Sequence, residues 1–114
     1  MNNEHILIPL YEKLSKLTRE KKCAWEMSSE VNTYYLQLQS SMIRVGEDNS
    51  CKNEPPVYVF QYIKENKQIL DKRAKSSDSN EYGILNALYH NIEYYYDEMV
   101  RNAVNEVSSE LDKL

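Results

Sequence analysis

Between Lys22 and Leu70 the apolar residues recur at every second position, and on either side of that stretch they recur at every third or fourth. Period two is how a strand half-buried on one face reads, whereas steps of three and four mark one face of a helix. The chain therefore predicts an α+β fold: an N-terminal helix, an antiparallel meander of three to five strands, and a long C-terminal helix. All of this fits one domain over residues 1–114, with helices at about 8–21 and 79–113 and the strands within about 23–72.

In the first helix Leu10, Tyr11, Leu14 and Leu17 form the apolar stripe, while Glu12, Lys13, Lys16 and Arg19 take the other faces. Pro9 fits the first turn, where its missing N–H costs little. The pattern changes at Cys23-Ala24-Trp25-Glu26-Met27, a short strand opened by Trp25. After the polar turn Ser28–Asn32, Tyr34, Leu36 and Leu38 share one face and Tyr35, Gln37 and Gln39 share a wetter one.

Gln39-Ser40-Ser41 connects to a strand with Ile43 and Val45 inward and Arg44 outward. Residues 46–56 form the longest strongly polar segment, a loop closed by Pro55-Pro56 in extended geometry. The next strand places Val57, Val59, Gln61 and Ile63 on one face and Tyr58, Phe60 and Tyr62 on the other. Apolar on both sides, it is expected to be central and covered on both faces. Lys64-Glu65-Asn66-Lys67 turns the chain into a last strand at Gln68-Ile69-Leu70.

Asp78 followed by Glu81 has capping-box spacing, with Ser79 the competing N-cap. Beyond it Leu85, Leu88, Ile92, Tyr95, Met99, Ala103, Val107, Leu111 and Leu114 keep helical steps with no proline and no glycine after Gly83. One long helix follows. Its first half is expected to cover the sheet, and its second half to protrude, fold back or pair with another chain.

Composition changes this picture in two ways. Ten tyrosines against a single Phe and a single Trp place many core members at the boundary with solvent, because each hydroxyl needs water or a partner. A net charge of -4 and a pI near 5.2 argue against grip on a phosphate backbone, which calls for a basic patch. The basic cluster Arg19, Lys21 and Lys22 lies at a helix end, where cations complement the dipole. No stretch approaches the ~20 apolar residues of a membrane span. Cys23 and Cys51 fit no metal or redox spacing, and Ile6-Leu7-Ile8 is too short for a signal segment. A cytoplasmic protein with free thiols is the simplest reading.

Candidate chemistry is sparse. His90 shares a helix side with Glu93 and Asp97, but the other histidine, His5, is near the terminus, so a solvated helical histidine explains it better than a metal ligand. No serine lies in a G-x-S-x-G elbow, and two glycines in all leave no glycine-rich phosphate loop. No enzyme activity, metal or cofactor is expected. Tyr94-Tyr95-Tyr96 stands out, since successive helical residues point about 100° apart and cannot all face one core. Tyr89, Tyr94 and Tyr96 are the candidate partner-binding residues, tyrosine being favoured at interface hot spots.

The helix around Leu14, the Lys22-Cys23-Ala24-Trp25-Glu26 opening and the Tyr34–Leu38 strand resemble small, mostly uncharacterised bacterial proteins. Those proteins have an N-terminal helix, a Lys-x-x-Trp strand opening and a β-meander. They continue, as here, with an aromatic-rich strand (Val57 to Ile63), a turn and a helical segment. Asn66 departs from the glycine often found at that turn. The resemblance implies a bacterial cytoplasmic accessory role and carries no catalytic residues.

The expected function is non-enzymatic protein–protein interaction, with a partner protein or by self-association, and without nucleic acid or membrane. Acidity also suits an immunity protein or antitoxin neutralising a basic partner. A small-molecule-binding domain, with Trp25, Tyr58, Phe60 and Tyr62 lining a pocket, is the alternative from another class.

Overall fold

The structure, a computed structural model, describes residues 3–114. Helix α1 (Glu4–Arg19) leads into strands β1 (Glu26–Met27), β2 (Thr33–Gln37), β3 (Ser41–Asp48), β4 (Val57–Lys64) and β5 (Lys67–Ala74), and helix α2 (Ser79–Leu111) follows. The strands form one antiparallel sheet in sequence order, a meander. Both helices pack on a single face of it, giving the expected α+β fold in two layers.

Helix α1 starts earlier than its sequence signals suggest, and Pro9 lies inside it rather than in its first turn. The reason is Leu7. With Tyr11 and Leu14 it completes a buried i, i+4, i+7 stripe, while Leu10 lies on the exposed shoulder. The bond that Pro9 cannot make to the carbonyl of His5 is forfeited on the exposed side of the helix.

The C-terminus of α1 closes with a Schellman arrangement. Lys22 N–H donates to Leu17 O at 2.9 Å and Lys21 N–H to Thr18 O at 3.0 Å. Lys21 occupies the left-handed position, with φ of 61°. The turn delivers Trp25 into the core just ahead of β1, where its indole N–H donates to Thr18 Oγ1 at 2.9 Å.

Tyr34, Leu36, Ile43, Val45, Tyr58 and Phe60 form the buried face of the sheet, and Tyr11 meets Phe60 edge-on at 5.1 Å. The other face is open, which corrects the expectation that β4 is covered on both sides. Val57, Val59 and Ile63 are only half-buried there. Both helices are engaged on the Tyr58–Phe60 side, so no element remains for the second face. Polar side chains bridge it instead: Arg44 donates to Gln61 at 3.4 Å and Gln61 to Asp71 at 3.2 Å.

Glu65 and Asn66 make the two-residue turn between β4 and β5, both at positive φ (53° and 60°), as a type I′ hairpin requires. Ile69 is left unpaired at a bulge and is exposed. The capping box at α2 does not form. Asp78 accepts from Lys75 N–H at 2.9 Å, and Glu4 of α1 accepts the Glu81 backbone N–H at 2.8 Å. One helix thus caps the other.

Candidate interaction surface on the projecting helix

Helix α2 runs 33 residues, about 50 Å at 1.5 Å per residue, whereas an eight-residue strand spans about 27 Å. A helix of that length outruns the sheet. Its first half is core: Leu85, Leu88, Tyr89 and Ile92 are buried against the sheet and α1. Residues 101–114 are all exposed, and the molecule is drawn out to 61 × 38 × 25 Å.

The apolar periodicity continues past the last covering residue. Met99, Val100, Ala103, Val104, Val107 and Leu111 line one shallow apolar concavity along the projecting segment, and Val104, Val107 and Leu111 are 58, 56 and 60% exposed. Asp97, Glu98, Glu106, Glu110 and Asp112 surround this stripe with only Arg101 and Lys113 of opposite sign. Three valines, two asparagines and two serines between Val100 and Ser109 give the segment weak intrinsic helix propensity. Most helical stability in proteins comes from packing an amphipathic face, and here that face has nothing against it.

The tyrosines divide differently from the sequence reading. Tyr94 is displayed, 69% exposed. Tyr96 is half-buried, with its ring centroid 5.6 Å from that of Tyr34. Tyr89 is corrected from surface to core: it is 1% exposed and packs on Tyr34 and Tyr58 with centroids 5.9 and 5.7 Å apart. Position 89 falls on the same side of the helix as Leu85 and Ile92, which the sheet covers. Burial, reinforced by nearby carboxylates, raises the pKa of Tyr58 and Tyr89 and pushes that of Tyr34 up to about 12.

His90 lies beside this cluster. Its Nδ1 is 3.1 Å from Glu93 Oε1 and its Nε2 is 3.3 Å from the Tyr58 hydroxyl, which donates to Glu47 Oε2 at 2.8 Å. The group links β3, β4 and α2 at the edge of the core, a brace between sheet and helix. Among the described residues no three or more of His, Cys, Asp and Glu are grouped so as to hold a metal ion. Cys23 and Cys51 are free thiols, the first buried and the second exposed.

Trp25, Tyr58 and Phe60, three of the rings proposed to line a ligand pocket, instead fill the core. A concavity of about 440 Å³ lies on the opposite, open face of the sheet. Thr33, Arg44, Gly46, Val59, Gln61 and Arg73 contribute to it. Arg44 and Arg73 are each loosely paired there, with Glu30 and Asp48 respectively, both at 3.7 Å.

In comparisons with known proteins, no family model matches this chain, and neither does any curated protein or solved structure. Among the described residues no helix is long and apolar enough to cross a membrane.

The sequence expectation of a partner surface rests on the tyrosines together with the later helix, and its apolar stripe includes Val107 and Leu111 but omits Val100 and Val104. The available signal was the alternation of four- and three-residue steps at Val100, Val104, Val107, Leu111 and Leu114, a heptad-like seam running beyond the reach of the sheet.

Proposed function

We propose that this protein is a non-enzymatic accessory protein of the bacterial cytoplasm that works by protein–protein contact through the projecting half of α2. The observation that carries this reading is the apolar stripe from Met99 to Leu111, exposed on a helix anchored at its other end in the core. Exposed stripes of this kind mark interaction sites, and an amphipathic helix laid along an apolar surface is a recurrent mode of recognition. Tyr94, also exposed, lies on another face of the same helix, about 140° around from the stripe, and is not part of this contact.

The test is cross-linking in the native cell, comparing the unaltered protein with a Val104→Asp/Val107→Asp variant. Both positions are exposed, so the body of the fold is left intact. Loss of every cross-linked species in the variant supports the reading, and an unchanged set of species overturns it.

A further inference from the structure

We infer that the concavity on the open face of the sheet binds a small zwitterion, a molecule carrying both a carboxylate and an ammonium group, such as a free amino acid or a short peptide. This site lies on the face opposite the helices and is separate from the projecting stripe.

The strands build most of it. Strand β3 supplies Arg44, Gly46 and Asp48, β4 supplies Val59 and Gln61, and β5 supplies Arg73. Cross-strand register sets Gly46, Val59 and Arg73 in one row and Arg44, Gln61 and Asp71 in the next. Gly46 and Val59 form the floor. Gly46 also admits the wall, because a Cβ there would stand 2.9 Å from Thr33 Oγ1 and 3.2 Å from the Asn32 carbonyl oxygen. A glycine inside a strand marks such a close approach of another backbone. The enclosed volume of about 440 Å³ falls within the roughly 300–1,000 Å³ of small-molecule sites.

A buried polar side chain orients the key cation. Gln61 is 9% exposed, and its Nε2 donates to Asp71 at 3.2 Å. That bond turns Oε1 towards Arg44, whose Nη1 donates to it at 3.4 Å. Among the described residues, Nε and Nη2 of Arg44 donate to no acceptor. A partly buried guanidinium is thus held by one nitrogen with the rest of its donors unused.

Charge selects the ligand. Arg44 faces Glu30 and Arg73 faces Asp48, each across 3.7 Å, longer than a hydrogen bond. Glu47 also borders the concavity, but its carboxylate accepts from Tyr58 on the covered face. Two cations and two anions therefore cancel. A simple anion entering here meets two carboxylates, and a simple cation meets two guanidiniums. A zwitterion suits both signs: its carboxylate takes the free donors of Arg44, and its ammonium takes Glu30. Glu30 is 65% exposed, and so loose a surface pair opens readily. A free amino acid bridges the Arg44–Glu30 gap with its side chain towards Val59, and a dipeptide runs on towards Asp48.

The experiment titrates the full chain at neutral pH with free amino acids one at a time and with dialanine, following backbone amide NMR signals. At least one probe should shift the signals of Gly46, Val59 and Gln61 saturably at millimolar concentration. Its N-acetyl and carboxamide derivatives, each keeping one charge, should bind about tenfold more weakly or worse. Arg44→Gln and Glu30→Gln should each weaken the parent probe about tenfold. Glu30 is an exposed turn residue, so that variant keeps the fold even where Arg44→Gln disturbs it. A response to free amino acids alone assigns the ligand to the Arg44–Glu30 gap, and a response to dialanine alone extends it to Asp48; either supports the inference. An N-acetyl derivative that binds as tightly as its parent would make this a plain anion site and overturn it. Unchanged affinity in Glu30→Gln would do the same, as would the absence of saturable shifts with every probe.

Discussion

The hydroxyl of Tyr11 on α1 donates to the carboxylate of Glu81 in the first turn of α2 at 3.0 Å, and both residues are buried. Seventy positions of sequence separate them. Glu81 serves α2 as an acidic first-turn residue, and its own backbone N–H is capped by Glu4 from α1. Removing the hydroxyl therefore strips a donor from a buried carboxylate. Tyr11→Phe should lower stability by about 1–3 kcal/mol in chemical denaturation, the cost of leaving a buried polar group unsatisfied. A change within about 0.5 kcal/mol, the scale of surface substitutions, would mean that Glu81 recovers its bonding from water.

The buried tyrosines also set an alkaline limit. Tyr11, Tyr34, Tyr58 and Tyr89 all have folded-state pKa values raised, by burial first, above the ordinary value of about 10. A raised value means the neutral form is favoured by folding. That stability is fully present below pH ~10 and is lost as pH climbs through about 12, where Tyr34 titrates in the folded state. Tyrosinate absorbance from these four should appear late and together with the loss of native Trp25 fluorescence. Ionisation of all ten tyrosines near pH 10, with that fluorescence unchanged, would contradict the assignment.

The two glycines should respond in opposite directions to alanine. A Cβ at Gly83, in an exposed part of α2, meets nothing within 4 Å. Gly83→Ala should raise stability by about 0.5–1 kcal/mol through helix propensity alone. A Cβ at Gly46 would stand 2.9 Å from Thr33 Oγ1 and 3.2 Å from the carbonyl oxygen of Asn32. Gly46→Ala should cost about 1–3 kcal/mol, as overpacking does. Thermal melts of the two variants, run side by side, check the contrast.

Among the described residues all five left-handed positions, Lys21, Asn32, Asn53, Glu65 and Asn66, use residues other than glycine. Replacing Glu65-Asn66 by Asn-Gly supplies the preferred type I′ pair, and Lys21→Gly relieves the helix end. Each should stabilise by about 0.5–1 kcal/mol, the left-handed strain of roughly 1–2 kcal/mol removed less the added chain entropy of glycine. The Lys21 change gives up an exposed 3.2 Å pair with Glu98, a contact of small worth. A loss of stability at either site, measured by urea titration, would mean that side-chain contacts there outweigh the backbone.

Trp25 joins the sheet layer to α1 through packing and through its bond to Thr18. Trp25→Ala should cost about 3–5 kcal/mol. Trp25→Phe keeps much of the volume but leaves Thr18 Oγ1 without its donor, and should cost less. Equal losses for the two, in equilibrium unfolding, would show that the indole N–H outweighs the ring's bulk.

The sequence by itself determined the order of the elements and the inward faces of β2 and β3. Period two put Tyr34, Leu36, Ile43 and Val45 together on one side, and steps of three and four drew α2 almost to its observed ends. These are local properties, set by which residues share a face within one element. Tertiary structure alone decided what was pressed against each face. Both helices went to the same side of the sheet, so β4 kept an open face, Glu4 displaced the local cap of α2, and Tyr89 sank into the core. The length of α2 against that of the strands left its second half outside. Periodicity records that a face is apolar, but only the distances between elements decide whether anything in the same chain reaches it.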